Sequence, residues 1–389
     1  MSTQQSQELF FQIDPKQSSE RTPGTINILY VAPKENASGY YRMVLPYRFL
    51  YFHATFDTHV VGLGKEDFSK PFALSKELEL DQWAAWADYM IFPMTTQPLH
   101  YLCKAFKSIH PKLRLVMDID TPIHFLSKHD PLSKKLDQKK LESLEQNMLQ
   151  MDMLTFSNDR LLDAYFNYFL ARKQLEKMPN LEYIPTLFTK LHFSALRWEA
   201  IEKQKSSDTT IIRIGIITEV RDINEIIALL PVMEAIMEKY PDTVQFVILG
   251  WGGLLSDGSK PLQSIAIEYH PAMRYDRYLN CLYNLNLDIA MLVKPKDAYH
   301  RLLDHPILLE IAYMGIPAVI SKGCMVYEDL FPEDQGLFPQ THDAWIKALT
   351  RLIEQPRLRN TLAKTFMENA KEWCTYSQEH ITELLEIFN

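Results

Sequence analysis

Short apolar runs recur along the chain, each closed by glycine, proline or small polar residues, with stretches of helical spacing between them. Continuous apolar runs of this length predict buried strands at 26–32, 58–63, 89–92, 113–118, 153–156 and 181–185. The pattern then restarts, with strands expected at 211–217, 244–250, 265–269, 287–293 and 316–320. Helical periodicity falls at 96–108, at 137–150 and from Ser157-Asn158-Asp159 to about 172, where Asn158 is a good N-terminal cap. Residues 222–240 read as one long amphipathic helix stopped by Pro241. A further helix is expected over 304–314, and the tail from Asp343 onward reads as helical, with breaks near Pro356 and Thr375.

Strands alternating with helices imply parallel sheets covered on both faces, so the fold class is α/β. The most polar internal stretch, 202–210 (EKQKSSDTT), separates the two βα series and reads as a linker. Residues 1–24 read as a mobile leader ended by Pro23-Gly24. The expected organisation is therefore a first α/β domain over 25–205 and a second over 206–372. The terminal helix, 373–389, crosses back towards the first.

Composition narrows the class without naming it. Of 389 residues, 47% are hydrophobic and 23% charged, the profile of a globular protein with sizeable cores. A net charge of −8 argues against a general nucleic-acid binder. Cys103, Cys281, Cys324 and Cys374 are widely spaced and form no CxxC pair, which suits separate reduced thiols. No apolar signal segment opens the chain and no run reaches the length of a membrane span, so a cytoplasmic protein is expected.

Candidate chemistry concentrates at 287–321. An apolar strand there runs into a polar loop with Lys294, Lys296, His300 and Arg301, then a helix with Glu310, then Gly315 and another strand. Ligands of open α/β sheets bind beyond the carboxyl ends of strands, which is where this cationic loop falls. Glu310 can accept both hydroxyls of a ribose, or be a solvated helix acid. The loop cations can neutralise a leaving diphosphate, or be ordinary surface charges. Glu219 and Arg221 lie after the strand at 211–217, where Arg221 can meet phosphate beside a helix N-terminus, or be a plain surface residue at a helix cap.

In the first half, Asp118, Asp120 and Thr121 end a buried strand. An acid there can orient an acceptor hydroxyl or act as a base, while Asp120-Thr121-Pro122 is also a good turn. His124 is near enough for proton transfer or for a structural role. After the first strand, the loop to Gly39 leads to Tyr41 and Arg42, which can line an acceptor site or belong to core and helix surface. That loop lacks the glycine spacing of a dinucleotide fingerprint. Asp118-Ile-Asp120 has the spacing of a metal-binding acid pair.

Four segments in order resemble GT-B glycosyltransferases, nearest to the retaining nucleotide-sugar enzymes of bacteria and phages. They are Gly39-Tyr-Tyr-Arg42 with Pro46; Val116-Met-Asp-Ile-Asp120; Arg213-Ile-Gly215 through Asp222 with Val247 to Gly250; and Glu310-Ile-Ala-Tyr-Met-Gly315-Ile-Pro317. The resemblance implies two Rossmann-like domains facing a cleft, the donor on the second and the acceptor on the first. It implies catalytic roles for Asp118, Asp120 and Lys294. Donor contacts would come from Glu310, Arg221, Glu219, His300 and Arg301, and acceptor contacts from Gly39, Tyr41 and Arg42. No metal and no cofactor is implied beyond a nucleotide sugar as co-substrate, because GT-B enzymes manage the leaving group with protein cations. The acceptor stays open among a glycan, a lipid-linked sugar, a protein and a modified nucleobase, and so does the oligomeric state.

Two positions depart from the family pattern. Leu302 stands where a second acid is common, eight residues before Glu310, and Thr218-Glu219-Val220-Arg221 replaces a Gly- and Ser-rich loop. These departures support an alternative, a non-catalytic GT-B-like protein that binds a nucleotide or a partner. A phage-type DNA-base glycosyltransferase is a third reading, opposed by the net acidity.

Overall fold

A computed structural model of the chain describes residues 21–31, 35–62, 75–128, 130–188, 211–218, 223–255, 258–304, 306–323, 328 and 337–389. Residues 1–20 of the expected leader, the 202–210 stretch, Glu219, Arg221 and Cys324 lie outside the described residues.

Two parallel sheets form. The first holds β1 (Ile26–Val31), β2 (Phe56–Val61), β3 (Tyr89–Pro93), β4 (Arg114–Ile119), β5 (Met153–Phe156) and β6 (Asn180–Tyr183), in the order β2-β1-β3-β4-β5-β6. The second holds β7 (Ile212–Ile217), β8 (Val244–Gly250), β9 (Ile267–Pro271), β10 (Ile289–Leu292) and β11 (Ala318–Ile320), in the order β11-β10-β7-β8-β9. Each sheet reverses its strand order once, between β1 and β3 and between β7 and β10. Loops leaving these strands part to opposite sides there, which opens a crevice at the carboxyl ends.

The chain divides into two compact units. One takes residues 1–189, Leu302–Asp304 and Tyr376–Asn389; the other takes 190–301 and 305–375. The first owes its composition to its sheet, which alternates side chains between two apolar faces. Leu29, Val31, Met90, Phe92, Leu115 and Met117 face helices Leu80–Trp86, His100–Ile109, Gln138–Met148 and Asp159–Ala171. Ile28, Tyr30, Tyr89, Ile91 and Val116 point the other way, onto Met43, Tyr47 and Leu50 and onto the last helix, Gln378–Phe388. Ile381, Leu384 and Phe388 of that helix complete this core, so the C-terminal segment covers a face that would otherwise be left to water. In the second unit, Ile214, Ile216, Phe246, Ile248, Ile289, Met291 and Val319 pack with Ile226, Val232, Met233 and Ile236 and with Trp345 and Leu349.

Local chemistry sets two departures from the periodicity. The long helix expected over 222–240 is two helices, Ile223–Ala228 and Leu230–Lys239. Pro231 lies in the first turn of the second; it has no N–H to donate to the residue four back, so the helix restarts. The polar loop expected after β10 is partly helical, because Asp297 caps a short helix Ala298–Leu302 and holds the His300 N–H at 2.8 Å. The next helix then begins at Pro306 and runs to Tyr313.

Candidate functional site

In the second unit, Lys294 follows β10 at the switch between β7 and β10. Its backbone N–H donates to Ser321 Oγ beyond β11 at 3.2 Å, and Ser321 N–H returns a bond to the Leu292 carbonyl at 2.9 Å. The two strand ends are thereby tied, with Lys294 buried between them. His300 is buried, and its Nδ1 lies 2.8 Å from Asp297 Oδ1; a carboxylate only accepts, so that nitrogen carries the proton. Arg301, on the same short helix, is exposed.

Glu310 decides the character of this segment. It is 1% exposed, and Leu308, Leu309, Ile311, Ala312 and Tyr313 around it are also buried. The reading as a solvated helix acid is corrected on that ground. Tyr275, at the start of helix Tyr275–Asn284, donates its hydroxyl to Glu310 Oε1 at 3.0 Å. The Glu310 helix ends sharply. Gly315 at φ +63° lets its N–H reach the Ala312 carbonyl at 2.9 Å and the Ile316 N–H reach Ile311 at 3.0 Å, a Schellman close that turns the chain into β11.

In the first unit, the helix after β1 starts at Asn36, whose side chain accepts the Gly39 N–H at 2.9 Å. It widens to a π-turn over Tyr40–Val44 before continuing as Leu45–Tyr51. Pro46 accounts for the widening, since its ring would clash with the Arg42 carbonyl in a regular turn. The π-turn aims Arg42 inward. Its Nε and Nη2 donate to Asp118 Oδ2 and Oδ1 at 3.0 and 2.7 Å, and its Nη1 to the Ile184 carbonyl at 2.6 Å. Thr155 Oγ adds a third donor to Asp118 at 2.6 Å.

The expectation of Asp118 as a reacting acid and Arg42 as an acceptor contact is therefore corrected. Both are buried and committed to each other, and Asp118 acts as a fixed counter-charge. Tyr41 is likewise interior, its ring edge-on to Phe188 at 5.2 Å. Asp120 is different: it is only half-buried at the end of β4. Burial and the neighbouring Asp118 charge raise its pKa, against hydrogen bonds from Ser38 and Thr121. His124 meets the Tyr165 hydroxyl at 3.0 Å, and burial lowers its pKa, which suits a structural histidine.

Several partners escape any reading of the sequence. Thr186 Oγ donates to the Asp304 carboxylate and also lies 3.4 Å from Arg42 Nη1. Asn158 caps Leu161 with its oxygen and donates Nδ2 to the Leu302 carbonyl at 3.1 Å. Leu302, where the family pattern has a second acid, packs its side chain on the first unit's core. These contacts hold Leu302–Asp304 within the first unit.

No protein-family model and no curated protein sequence matches the chain. Solved structures do match. A sucrose-phosphate synthase from Thermosynechococcus elongatus aligns at TM-score 0.61 and 12% identity, over 93% of this chain and 98% of that one. Anabaena HepE, solved in complex with UDP-glucose, aligns at 0.58 and 12% identity, over 93% and 100%. A UDP-forming trehalose-phosphate synthase from Burkholderia xenovorans aligns at 0.57 and 12% identity, over 94% and 99%. The chain has the GT-B fold. Within that fold Lys294 and Glu310 stand on the second Rossmann-like unit, and Asp120 and the π-turn on the first.

Proposed function

We propose that this GT-B protein transfers a sugar from a nucleotide-sugar donor to an acceptor, with retention. Glu310 carries the reading. A carboxylate removed from water costs several kcal/mol unless it is hydrogen-bonded, so one kept among apolar side chains is held for a purpose. Fixed by Tyr275, it presents an acceptor geometry suited to the paired hydroxyls of a ribose. The UDP-glucose complex of HepE and the UDP-forming trehalose-phosphate synthase support this ligand class.

In this mechanism Lys294, Arg301 and Arg221 supply positive charge as the diphosphate leaves, and His300 and Glu219 make further contacts to the donor. Asp120 orients the acceptor hydroxyl, and its raised pKa suits a group that shares a proton with it. Arg42, Asp118 and Tyr41 shape the wall behind it, and the Gly39 turn sets where that wall begins. The reaction takes place in the cytoplasm, with no metal and no cofactor beyond the nucleotide sugar. No helix of the described residues is long and apolar enough to cross a membrane. Candidate acceptors are a glycan, a lipid-linked sugar, a protein and a modified nucleobase.

The second reading, a non-catalytic nucleotide-binding protein, is favoured by Leu302, an apolar anchor in place of an acid. A thermal-shift screen with UDP- and GDP-sugars, paired with an assay for released nucleotide, separates the two. Saturation at roughly 100 times Kd stabilises by about 2.7 kcal/mol. Stabilisation with nucleotide release supports transfer, and stabilisation without release supports the second reading. No shift with any donor removes both.

A further inference from the structure

The second unit carries a nucleophilic cluster that the donor segment does not use. Glu268 and His270 are two residues apart on β9, so they share one face of the sheet's edge strand. Helix Tyr275–Asn284 brings Cys281 to that face, with Sγ 3.8 Å from His270 Nδ1. On the other side of the ring, His270 Nε2 lies 2.7 Å from Glu268 Oε1. Arg213 on β7 completes the chain, donating Nη2 to Glu268 Oε2 at 2.8 Å and Nε to the Leu285 carbonyl at 2.7 Å. Sulfur, imidazole, carboxylate and guanidinium thus stand in sequence.

The order of these groups fixes the protons. The Glu268 carboxylate only accepts, so His270 Nε2 is the protonated nitrogen, and Nδ1 turns its lone pair to the thiol. Burial works against the Glu268 charge, but hydrogen bonds from His270 and Arg213 outweigh it and hold the carboxyl below its usual range. An ionised Glu268 is what keeps the ring in that tautomer. Burial, helped by the Glu268 charge, pushes the Cys281 thiol above its ordinary value. The resting group is therefore a neutral thiol beside an oriented base. Cys281 is half-buried, within reach of small molecules, whereas Cys103 and Cys374 are buried.

We propose that Cys281 is a base-assisted nucleophile, a covalent modification site for small electrophiles with an activated carbon–carbon double bond. In the addition, the thiol proton passes to His270 Nδ1 as sulfur forms its bond to the β-carbon. The π electrons shift towards the carbonyl, and the enolate takes the proton back from the imidazolium at its α-carbon. Atoms and electrons balance with no further reactant. Glu268 stabilises the imidazolium between the two transfers, as a carboxylate does behind a catalytic histidine.

The site is independent of the glycosyl-transfer reading, and so is its test. The full chain is treated with N-ethylmaleimide at pH 7, and adduct formation is followed peptide by peptide by mass spectrometry. Cys281 is expected to react about a hundredfold faster in the wild type than in His270→Asn, the lower end of the range for a positioned base. Glu268→Gln, which preserves the ring but not the charge behind it, should fall between. It also stands in if His270→Asn fails to fold. Equal rates at Cys281 in the wild type and either folded variant, or no adduct at Cys281 in the wild type, would overturn the proposal.

Discussion

The Tyr275 hydroxyl donates to Glu310 Oε1 over 3.0 Å, between two side chains that are almost completely withdrawn from water. Thirty-five positions of sequence separate them. The bond fixes a carboxylate inside an apolar helix, and it is where donor recognition and folding stability meet. Glu310→Gln keeps the shape and removes the charge. Calorimetry is expected to find nucleotide-sugar binding weaker by roughly 1.5–3 kcal/mol, the scale of a hydrogen bond to a charged group. Tyr275→Phe removes only the donor and should cost less, about 1 kcal/mol. Unchanged donor affinity in both would leave Glu310 without a role in binding.

Lys294 stands at the end of β10, at the reversal of strand order. If it neutralises the departing diphosphate, Lys294→Ala should lower kcat about 10²–10³-fold while leaving the fold intact. Circular dichroism together with steady-state kinetics checks this, and full turnover in a folded variant counts against the role.

The Arg42–Asp118 pair predicts a loss of stability. Asp118→Asn keeps the side chain's size but leaves a buried guanidinium without its principal counter-charge. Breaking one side of a buried pair costs about 3–5 kcal/mol. Urea unfolding should move its midpoint down with an unchanged slope. A stable variant lacking only turnover would return Asp118 to the reacting groups.

Asp120 should give a pH signature of its own. Burial and Asp118 raise its pKa in the folded state, so between about 3.9, the unfolded value, and that higher value the native protein binds more protons than the unfolded chain. Its contribution is fully present below about 3.9 and is lost as pH rises through the folded value. The unfolding free energy of Asp120→Asn minus that of the wild type should therefore increase with pH across this window, then level off. A flat difference from acid to neutral pH would mean that Asp120 titrates as in the unfolded chain.

Gly250 closes β8 at φ +106°, with its α-carbon hydrogens against the Thr218 carbonyl at the end of β7. A methyl group there meets a backbone atom as well as an unfavourable φ. Gly250→Ala is expected to destabilise by about 2 kcal/mol or more, with the strained backbone alone contributing roughly 1–2. A melting temperature within error of the wild type would refute this.

The strand pattern was legible because a parallel strand buried on both faces must be apolar at nearly every position. Strands over 26–31, 56–61 and 244–250 lie close to where the apolar runs predict them. The helix starting at Asn158 and the stop at Gly315 were legible for a similar reason, since a cap and a positive φ are local demands. Pro231 and Asp297 were local signals too, outweighed in the reading by a long amphipathic period and a run of charges. What the chain could not disclose is which side chains meet. Arg42 and Asp118 are 76 positions apart, and Thr186 and Asp304 are 118 apart. No local propensity encodes such pairings; they exist only once the sheet order brings strand ends together. The same holds for burial. Tyr41 had an acceptor-site and a core reading, and Glu310 a solvated one beside its ribose role; packing alone set how deeply each is buried, because a side chain's exposure is set by what the rest of the chain lays over it.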